Sequence, residues 1–439
     1  PTTALVMHKE NTEPPTLTMA ELDTNYMTNV DGLYLIGEIA GKLKQADSDE
    51  KAQLSQEMES LKQRPSELKE REQELESQIR ELEVERDKEL LHLPQPADDD
   101  VPVGASAEEN VPLELWAPEG YDLDQSFAEN RGFEPRSHDD LMREHGWVDF
   151  ERGVKVAGSR SYVLRGDGMR LHQAVLQFGF DFMTREIGFE PVSVPVLVRD
   201  QMMTGTGFFP HGREQAYEIA NPTGEGYDLY LTGTGEVGLM GLHADEILDA
   251  DDLPRRYTTV STCFRREAGS AGKDTAGLYR IHQFDKVEQV VICRADEQES
   301  RRWHQEMIGY VRTLLERLEL PYRLLQCCTG DLGPKNADMI DIECWMPSRG
   351  EVDDEGRSAG DWGETHSASR LYDYQCRRLN TRYRDAEGEN VVCHSLNNTV
   401  LASPRILVPL IEMHQQADGS VRVPPALQPY LAGAEHLGS

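Results

Sequence analysis

RYTTVSTCFRREAGSAGKDTAGLYRIHQFDKVE, residues 256–288, is the stretch whose reading decides the fold. β-Branched and aromatic residues fill 256–264, which predicts a strand ending in Phe264-Arg265-Arg266-Glu267. A long glycine-containing loop follows, and a second strand returns from His282 to Cys293. Alternation along that strand puts Phe284, Lys286 and Glu288 on one face and Asp285 and Val287 on the other. Arg265 beside Glu267 sets a cation suited to phosphate next to a carboxylate suited to an amino group. A surface hairpin laced with salt bridges accounts for any one of these residues but not for the whole set.

Outward from this hairpin, further β-rich runs occur at Pro191–Val198, Tyr227–Thr232 and Met339–Met346. Helical segments interrupt them without a regular βαβα rhythm. That pattern predicts an α+β domain on an antiparallel sheet rather than a doubly wound one. No G-x-x-x-x-G-K-[ST] loop is present, so a bound nucleotide is not held by a P-loop.

The N-terminal part reads differently. Residues 1–30 are polar and weakly patterned. From about Asn29 to Leu91 the chain is rich in Glu, Lys, Gln and Leu. Leu54, Met58, Leu61, Leu68, Leu75, Ile79 and Leu82 hold the a and d positions of one heptad register. The register continues through Pro65, so that proline is expected to kink a long helix rather than end it. Ala46-Asp47-Ser48-Asp49 supplies the turn, which predicts an antiparallel helical hairpin with its second arm from about 49 to 91. Such stretches generally dimerise or act as spacers, and their position alone does not assign them a ligand. Leu93-Pro94-Gln95-Pro96 stops the helix and an acidic linker follows, giving expected units at 1–105 and 106–439.

The chain has 439 residues, a length that calls for more than one core, and a formal net charge of -34. One reading of that charge is a solvated acidic surface of the kind that keeps a protein soluble in concentrated salt. The other is a chain that avoids polyanions, which a nucleic-acid enzyme could escape only through local basic contacts or screening salt. The seven cysteines are odd in number, irregularly spaced and without a C-x-x-C pair, which argues against a disulfide framework or a structural zinc site. No apolar run reaches 18 residues, and residues 1–15 lack a basic segment followed by an apolar one. A reducing cytoplasm and no membrane are therefore expected.

The segment FRREAGSAGKDTAGLYRIHQFDKVEQ resembles motif 2 of class II aminoacyl-tRNA synthetases, specifically the seryl branch. Other blocks are similar to that family in the expected order over roughly residues 30–439. Gly166–Leu171 through GFEPVSVPVLV resembles motif 1, which in the family builds a homodimer interface. SLNNTVLASPRILVPLIEMHQ resembles motif 3, LYLTGTGEVGLMGLHADEIL the serine-binding strand, and WGETHSASRLYDYQCRR the metal-and-ATP strand. The resemblance implies a class II antiparallel sheet flanked by helices, preceded by a tRNA-binding helical arm. It implies an enzyme that activates L-serine with ATP and passes it to the 3′ end of tRNA(Ser), with Mg²⁺ as cofactor.

It also implies roles for particular residues. Arg265 would hold the α-phosphate and serine's reacting end, and Arg405 the far phosphates. Phe284 would stack on adenine, with Glu267 and the Ile281 backbone at its edge. Glu364 and Ser367 would hold Mg²⁺. Thr234 and Glu236 would meet serine's ammonium, and Glu288 and Thr399 its hydroxyl. Lys62, Arg64, Lys69, Arg71, Arg80 and Arg86 would face tRNA. His282, His366 and Cys263 read as packed neighbours. The chain departs from the family pattern at Gly235, where alanine is usual, at Ala276, where a basic residue is common, and at Ser369-Arg370-Leu371. Gly235 is expected to loosen its strand slightly. Two other readings share the same blocks: a ligase passing activated serine to a non-tRNA acceptor, and a non-catalytic paralogue. The retained charges argue against the paralogue.

Overall fold

The structure is a computed structural model describing residues 42–44, 47–269, 277–351, 353 and 358–438, the side chains of 61, 62 and 64–67 excepted. The chain divides into two compact units, Pro1–Leu91 and His92–Ser439.

In the first unit one helix, α1 (Ser48–Leu90), runs 43 residues without interruption at Pro65, a length of about 64 Å at 1.5 Å per residue. Its start is set by Asp47, whose carboxylate accepts the Asp49 and Glu50 amides at 3.1 and 3.0 Å. Of its heptad positions, Leu54, Met58 and Ile79 are half-buried, whereas Leu68 and Leu82 are 62% and 63% exposed. The expected first arm of the hairpin, apart from Lys42–Lys44, lies outside the described residues, as do residues 1–30.

The second unit is built on an eight-stranded sheet. Its strands are β1 (Val111–Trp116), β2 (Glu190–Pro191), β3 (Arg255–Phe264), β4 (Gln283–Cys293), β5 (Tyr322–Gln326), β6 (Asp338–Met346), β7 (Asp361–Tyr372) and β8 (His394–Ser403). Their spatial order is β1-β5-β6-β7-β8-β4-β3-β2. All pairings are antiparallel except β2 with β3. The α+β expectation holds, and the strands read around 256–264 and 282–293 are the adjacent pair β3 and β4.

Alternation divides the sheet into two faces. Val287 and Val291 of β4, Ile340 and Ile342 of β6, Ala368 of β7 and Leu396 and Val400 of β8 join one apolar core. Two helices cover that face, α2 (Gly166–Asp181) through Leu171, Val175 and Phe178, and α3 (Glu297–Arg317) through Met307, Val311 and Leu314. Burial of these side chains, worth roughly 1.5–3 kcal/mol each, fixes the sheet's register. Of the residues between them, Asp341, Asn397 and Thr399 lie on the other face and carry polar groups. Val290 and Ile292 join a second apolar cluster, and Gln289 and Asn398 donate to Met307 O of α3, each at 3.2 Å.

The helix stop at 93–96 and the acidic linker read from Asp98 onward pack within the second unit. The Gln95 amide donates to Pro334 O at 2.7 Å and the Asp98 amide to Ala337 O at 2.9 Å. Asp98 accepts from Arg370 Nε at 3.0 Å and Tyr372 Oη at 3.1 Å. Arg370, one of the departures from the family pattern, is 2% exposed and also pairs with Asp338 at 3.0 Å. Against burial, His304 above all, with Gln326 and the Arg370 guanidinium, holds the Asp338 carboxyl below the usual range. Removing one partner of such a buried pair leaves an uncompensated charge. Asp98→Ala should therefore lower stability by roughly 3 kcal/mol, read as an earlier urea midpoint. A midpoint unchanged from the parent would mean that this ion pair does not anchor the segment.

Candidate functional site

The polar face of the sheet floors a cavity of about 390 Å³. Ten of the residues singled out in sequence line it: Thr234, Glu236, Arg265, Glu267, Ile281, Phe284, Glu364, Ser367, Thr399 and Arg405. Glu288 lies immediately beneath, fully buried, and accepts from Thr234 Oγ1 at 3.3 Å.

Two β-bulges make this convergence possible. Lys286 faces Ala402 across the β4–β8 pair, yet Glu288, two residues on, faces Thr399. The register shift between Val287 and Glu288 thus aims both Ala402 and Thr399 into the cavity, although they lie three positions apart. A second shift, between Ile342 and Glu343, does the same for Glu364 and Ser367 on β7. On a regular strand each pair would point to opposite faces.

At one end of the cavity lie the arginines. Arg265 Nε donates to Gly233 O at 3.3 Å and its guanidinium sits 5.3 Å from the Phe284 ring centre. Arg405 donates to Tyr279 O and Glu364 O, both at 3.1 Å, and stacks 4.6 Å over the Tyr279 ring. Glu267 adopts a left-handed backbone, φ 53°, and its carboxylate receives Arg280 Nη1 at 2.6 Å.

Beside them is an oxygen-rich corner. Arg405 Nη1 lies 3.6 Å from Glu364 Oε2. Asp341, opposite Ser367 on β6, has a buried Oδ1 with no partner among the described residues. Burial, with Glu364 adding to it, pushes the Asp341 carboxyl well above the usual range. Carboxylates and a hydroxyl are the donors a hard divalent cation takes, so this corner fits Mg²⁺. Cys327 and Asp331 also approach Asp341, their ligand atoms lying within 4.8 Å of one another. Burial and the two carboxylates push that thiol upward, which keeps it a protonated, poor ligand.

The other end is a buried cluster of charges. Lys286 pairs with Glu288 and donates to Thr234 Oγ1 at 2.8 Å. Burial pushes the Glu288 carboxyl upward, and Lys286 draws it back. Glu236, at the start of a short helix Glu236–Gly241, accepts from Lys335 Nζ and Gln375 Nε2, both at 2.6 Å. Asn397 Nδ2 bridges the two carboxylates at 3.3 Å each. Its Oδ1 is buried with no partner among the described residues. Lys335, Gln375 and Asn397 were not found in the sequence as site residues, because only the fold brings them to Glu236.

The packed neighbours behave as expected. His366 is buried, bonds Val400 O at 3.1 Å, and burial lowers its pKa to about 3. His282 Nδ1 lies 2.9 Å from Arg265 O, and Cys263 is fully buried. Among the described residues the arm's basic side chains form no such cluster. Arg71 and Arg86 are exposed and lie 2.9 and 2.7 Å from Glu74 and Asp87. Lys69 and Arg80 are exposed, while the side chains of Lys62 and Arg64, and Ala276 altogether, lie outside the described residues.

A nucleotide-sized polar cavity on an antiparallel sheet, with arginines at one end and paired carboxylates at the other, has the form of a class II synthetase core. The family profile described as "tRNA synthetase class II core domain (G, H, P, S and T)" matches residues 217–414. The serine--tRNA ligase of Deinococcus radiodurans is 46% identical over 350 residues, covering 80% of this chain and 76% of the relative. Seryl-tRNA synthetase from Pyrococcus horikoshii, solved with ATP, superposes with a TM-score of 0.74 at 36% identity over 95% of this chain and 91% of that one. The cytoplasmic serine-tRNA ligase of Naegleria fowleri, solved with AMP, gives 0.73 at 30% identity over 95% and 90%. The chain belongs to the serine--tRNA ligase family.

Gly235 corrects one expectation. A Cβ added there would lie 2.5 Å from Thr259 Cγ2 and 2.9 Å from Ser261 Oγ. Gly235 lies not on a strand but in the turn that leads into the helix Glu236–Gly241, and it is not loosened, because the Thr259 methyl fills the space an alanine methyl would take. Gly235→Ala should cost about 1–3 kcal/mol by overpacking, and Thr259→Ser should recover part of it. Thermal melts of the two single variants and the double variant read the coupling, and strict additivity would refute it.

Proposed function

We propose that this cavity joins L-serine to ATP, forming seryl-adenylate, and then passes serine to the 3′ end of tRNA(Ser). The observation that carries the reading is the gathering of phosphate-type and ammonium-type partners in one cavity. Serine would lie at the Glu236 end, its ammonium donating to Glu236, Thr234 and the free Asn397 Oδ1. Its hydroxyl would meet Glu288 and Thr399. A site that hydrogen-bonds a hydroxyl disfavours alanine, since buried polar atoms would be left unpaired.

In the first step a serine carboxylate oxygen bonds to the α-phosphorus as the bond to the β-phosphate oxygen breaks, releasing pyrophosphate. In the second a terminal ribose hydroxyl of tRNA attacks the serine carbonyl, its proton is lost and AMP leaves. Neither step needs a protein nucleophile. The chain's part is alignment and charge neutralisation. Arg265 would meet the α-phosphate, where negative charge grows, and Arg405 the far phosphates. Phe284 would carry adenine on its face, with Glu267 and the Ile281 backbone at its edge. Glu364 and Ser367, with Asp341 beside them, would hold Mg²⁺, which when bound neutralises phosphate charge.

We further place the protein in the cytoplasm as a homodimer joined through the motif 1 segment, not on a membrane. The resemblance of 166–198 to that motif supports the dimer. All seven cysteines are free and buried, consistent with a reducing compartment, and among the described residues no helix is long and apolar enough to cross a membrane. The arm, 1–105 with its linker, would approach tRNA through Lys62, Arg64, Lys69, Arg71, Arg80 and Arg86.

Arg265→Ala should reduce serine-dependent exchange of pyrophosphate into ATP by at least about 100-fold, the scale for losing a transition-state charge partner. Near-normal exchange would overturn the phosphate assignment. Charging of tRNA(Ser) with labelled serine tests the acceptor. Deleting residues 45–90 should spare exchange and abolish charging, whereas charging that survives the deletion would leave the arm a purely structural part.

A further inference from the structure

Lys335 stands where the sequence placed nothing. It lies between β5 and β6, in a segment pinned on both sides: Pro334 O receives the Gln95 amide at 2.7 Å, and the Ala337 amide donates to Arg370 O at 2.9 Å. Asn336 Nδ2 adds a bond to Ser369 Oγ at 2.8 Å. From this fixed stem the ammonium reaches Glu236 Oε1 at 2.6 Å and lies 4.3 Å from the Phe208 ring centre. The Glu236 side chain is 2% exposed and that of Lys335 15%. Both belong to the cavity lining.

Two buried carboxylates thus face two lysines, Glu288 with Lys286 and Glu236 with Lys335. Lys286 rises from the floor strand, beneath the substrate, and its partner is enclosed. Lys335 enters from the cavity wall and is the more exposed of the two. The Glu236 end is charge-balanced before any amino acid arrives. A ligand ammonium aimed at Glu236 meets a carboxylate that already holds a cation.

We propose that Lys335 is a specificity-determining residue that occupies the seat Glu236 offers to the substrate's amino group, so that an α-amino acid binds by displacing it. This rests on the reading that Glu236 receives serine's ammonium. Because the backbone around Lys335 is pinned, the displacement is a side-chain rotation, with Nζ swinging away from Glu236. Serine exchanges one ion pair for another, and its apparent affinity falls by the fraction of molecules in which the seat is free. A ligand with the same carboxyl and hydroxyl but no amino group leaves the lysine in place and escapes that reduction. Lys335 therefore narrows the preference for an amino acid over its deaminated counterpart.

The test compares the parent protein with K335A, K335Q and K335R in pyrophosphate exchange, with 3-hydroxypropanoate as competitor and calorimetric serine titration alongside. K335A should lower the serine KM about tenfold, the size of effect expected when the seat is about nine-tenths occupied. Its kcat and ATP KM should stay within about twofold, and inhibition by 3-hydroxypropanoate should not tighten. K335Q, which keeps a donor without the charge, should fall between, and K335R should match the parent. A serine KM unchanged or raised in K335A and K335Q, with parental melting temperatures, overturns the proposal. So does equal tightening of serine and 3-hydroxypropanoate. A parent that exchanges no pyrophosphate with serine and binds none by calorimetry overturns the reading of the site itself, a different result from an active parent insensitive to Lys335.

Discussion

Two carboxylates buried side by side are what the rest of the catalytic unit is arranged around. Glu288 has no exposed surface and Glu236 almost none, and an isolated ionised carboxylate in such a place would neutralise or unfold its surroundings. Each is paired with a lysine and accepts from the shared Asn397 amide. Those partners come from β4, β8 and the loop before β6, so the charges can be satisfied only when the sheet is in register. Gln375 Nε2 reaches from a further helix to the same Glu236 oxygen, and its own Oε1 accepts from Ser395 Oγ at 3.0 Å. The polar network therefore selects one arrangement of strands that the apolar face alone would only favour.

The apolar face supplies the energy and the polar face the chemistry, and the bulges reconcile them. A strictly alternating sheet could bury Val287, Val400 and Ile342 only by turning either Thr399 or Ala402, and either Glu364 or Ser367, away from the cavity. Each bulge adds one residue to one strand and restores the alternation beyond it. The core keeps its unbroken set of buried side chains while the site receives groups three residues apart on one side. Residues on the rigid sheet are better held than residues on loops, which suits a reaction whose acceleration comes from alignment.

What was legible in the sequence follows from this division. Arg265, Glu267, Phe284 and Glu288 sit on one hairpin, so their spacing and alternation already expressed their geometry. Thr234 with Glu236, Glu364 with Ser367, and Arg405 with Thr399 were recognisable through resemblance of local blocks. Lys335, Gln375 and Asn397 carried no such signal, since each touches Glu236 across at least 99 positions. The filling of the Gly235 space by Thr259 was hidden for the same reason. Substitution and compensation lie 24 residues apart on different elements. Likewise, Pro94 and the acidic run after it read as linker, yet Asp98 is drawn into the body by Arg370, a partner 272 positions away. The continuity of the helix through Pro65 was legible and is realised in α1, because one proline inside a helix of 43 residues costs one hydrogen bond against many.

The charge of -34 bears on the second half-reaction more than on the first. Within the cavity charges interact at close range and salt screens them little. Across the surface, at about 0.1 M salt, repulsion fades over roughly 10 Å, so a polyanion senses the groups it touches rather than the sum. On α1 those groups include arginines held by neighbouring carboxylates, Arg71 by Glu74 and Arg86 by Asp87. Exposed pairs of this kind are worth about 0–1 kcal/mol, and a phosphate can replace the carboxylate at small cost. The replaced carboxylate then remains beside the phosphate, so each arginine–phosphate pair carries a local repulsion that added salt relieves. Salt at the same time weakens the attraction of every such pair through the loss of counterion release. With the arm's cations as the tRNA contacts proposed above, these opposed terms would give the charging step an optimum at intermediate or high salt, set by the acidic neighbours of those cations, while serine activation would depend on a cavity whose charges are already balanced.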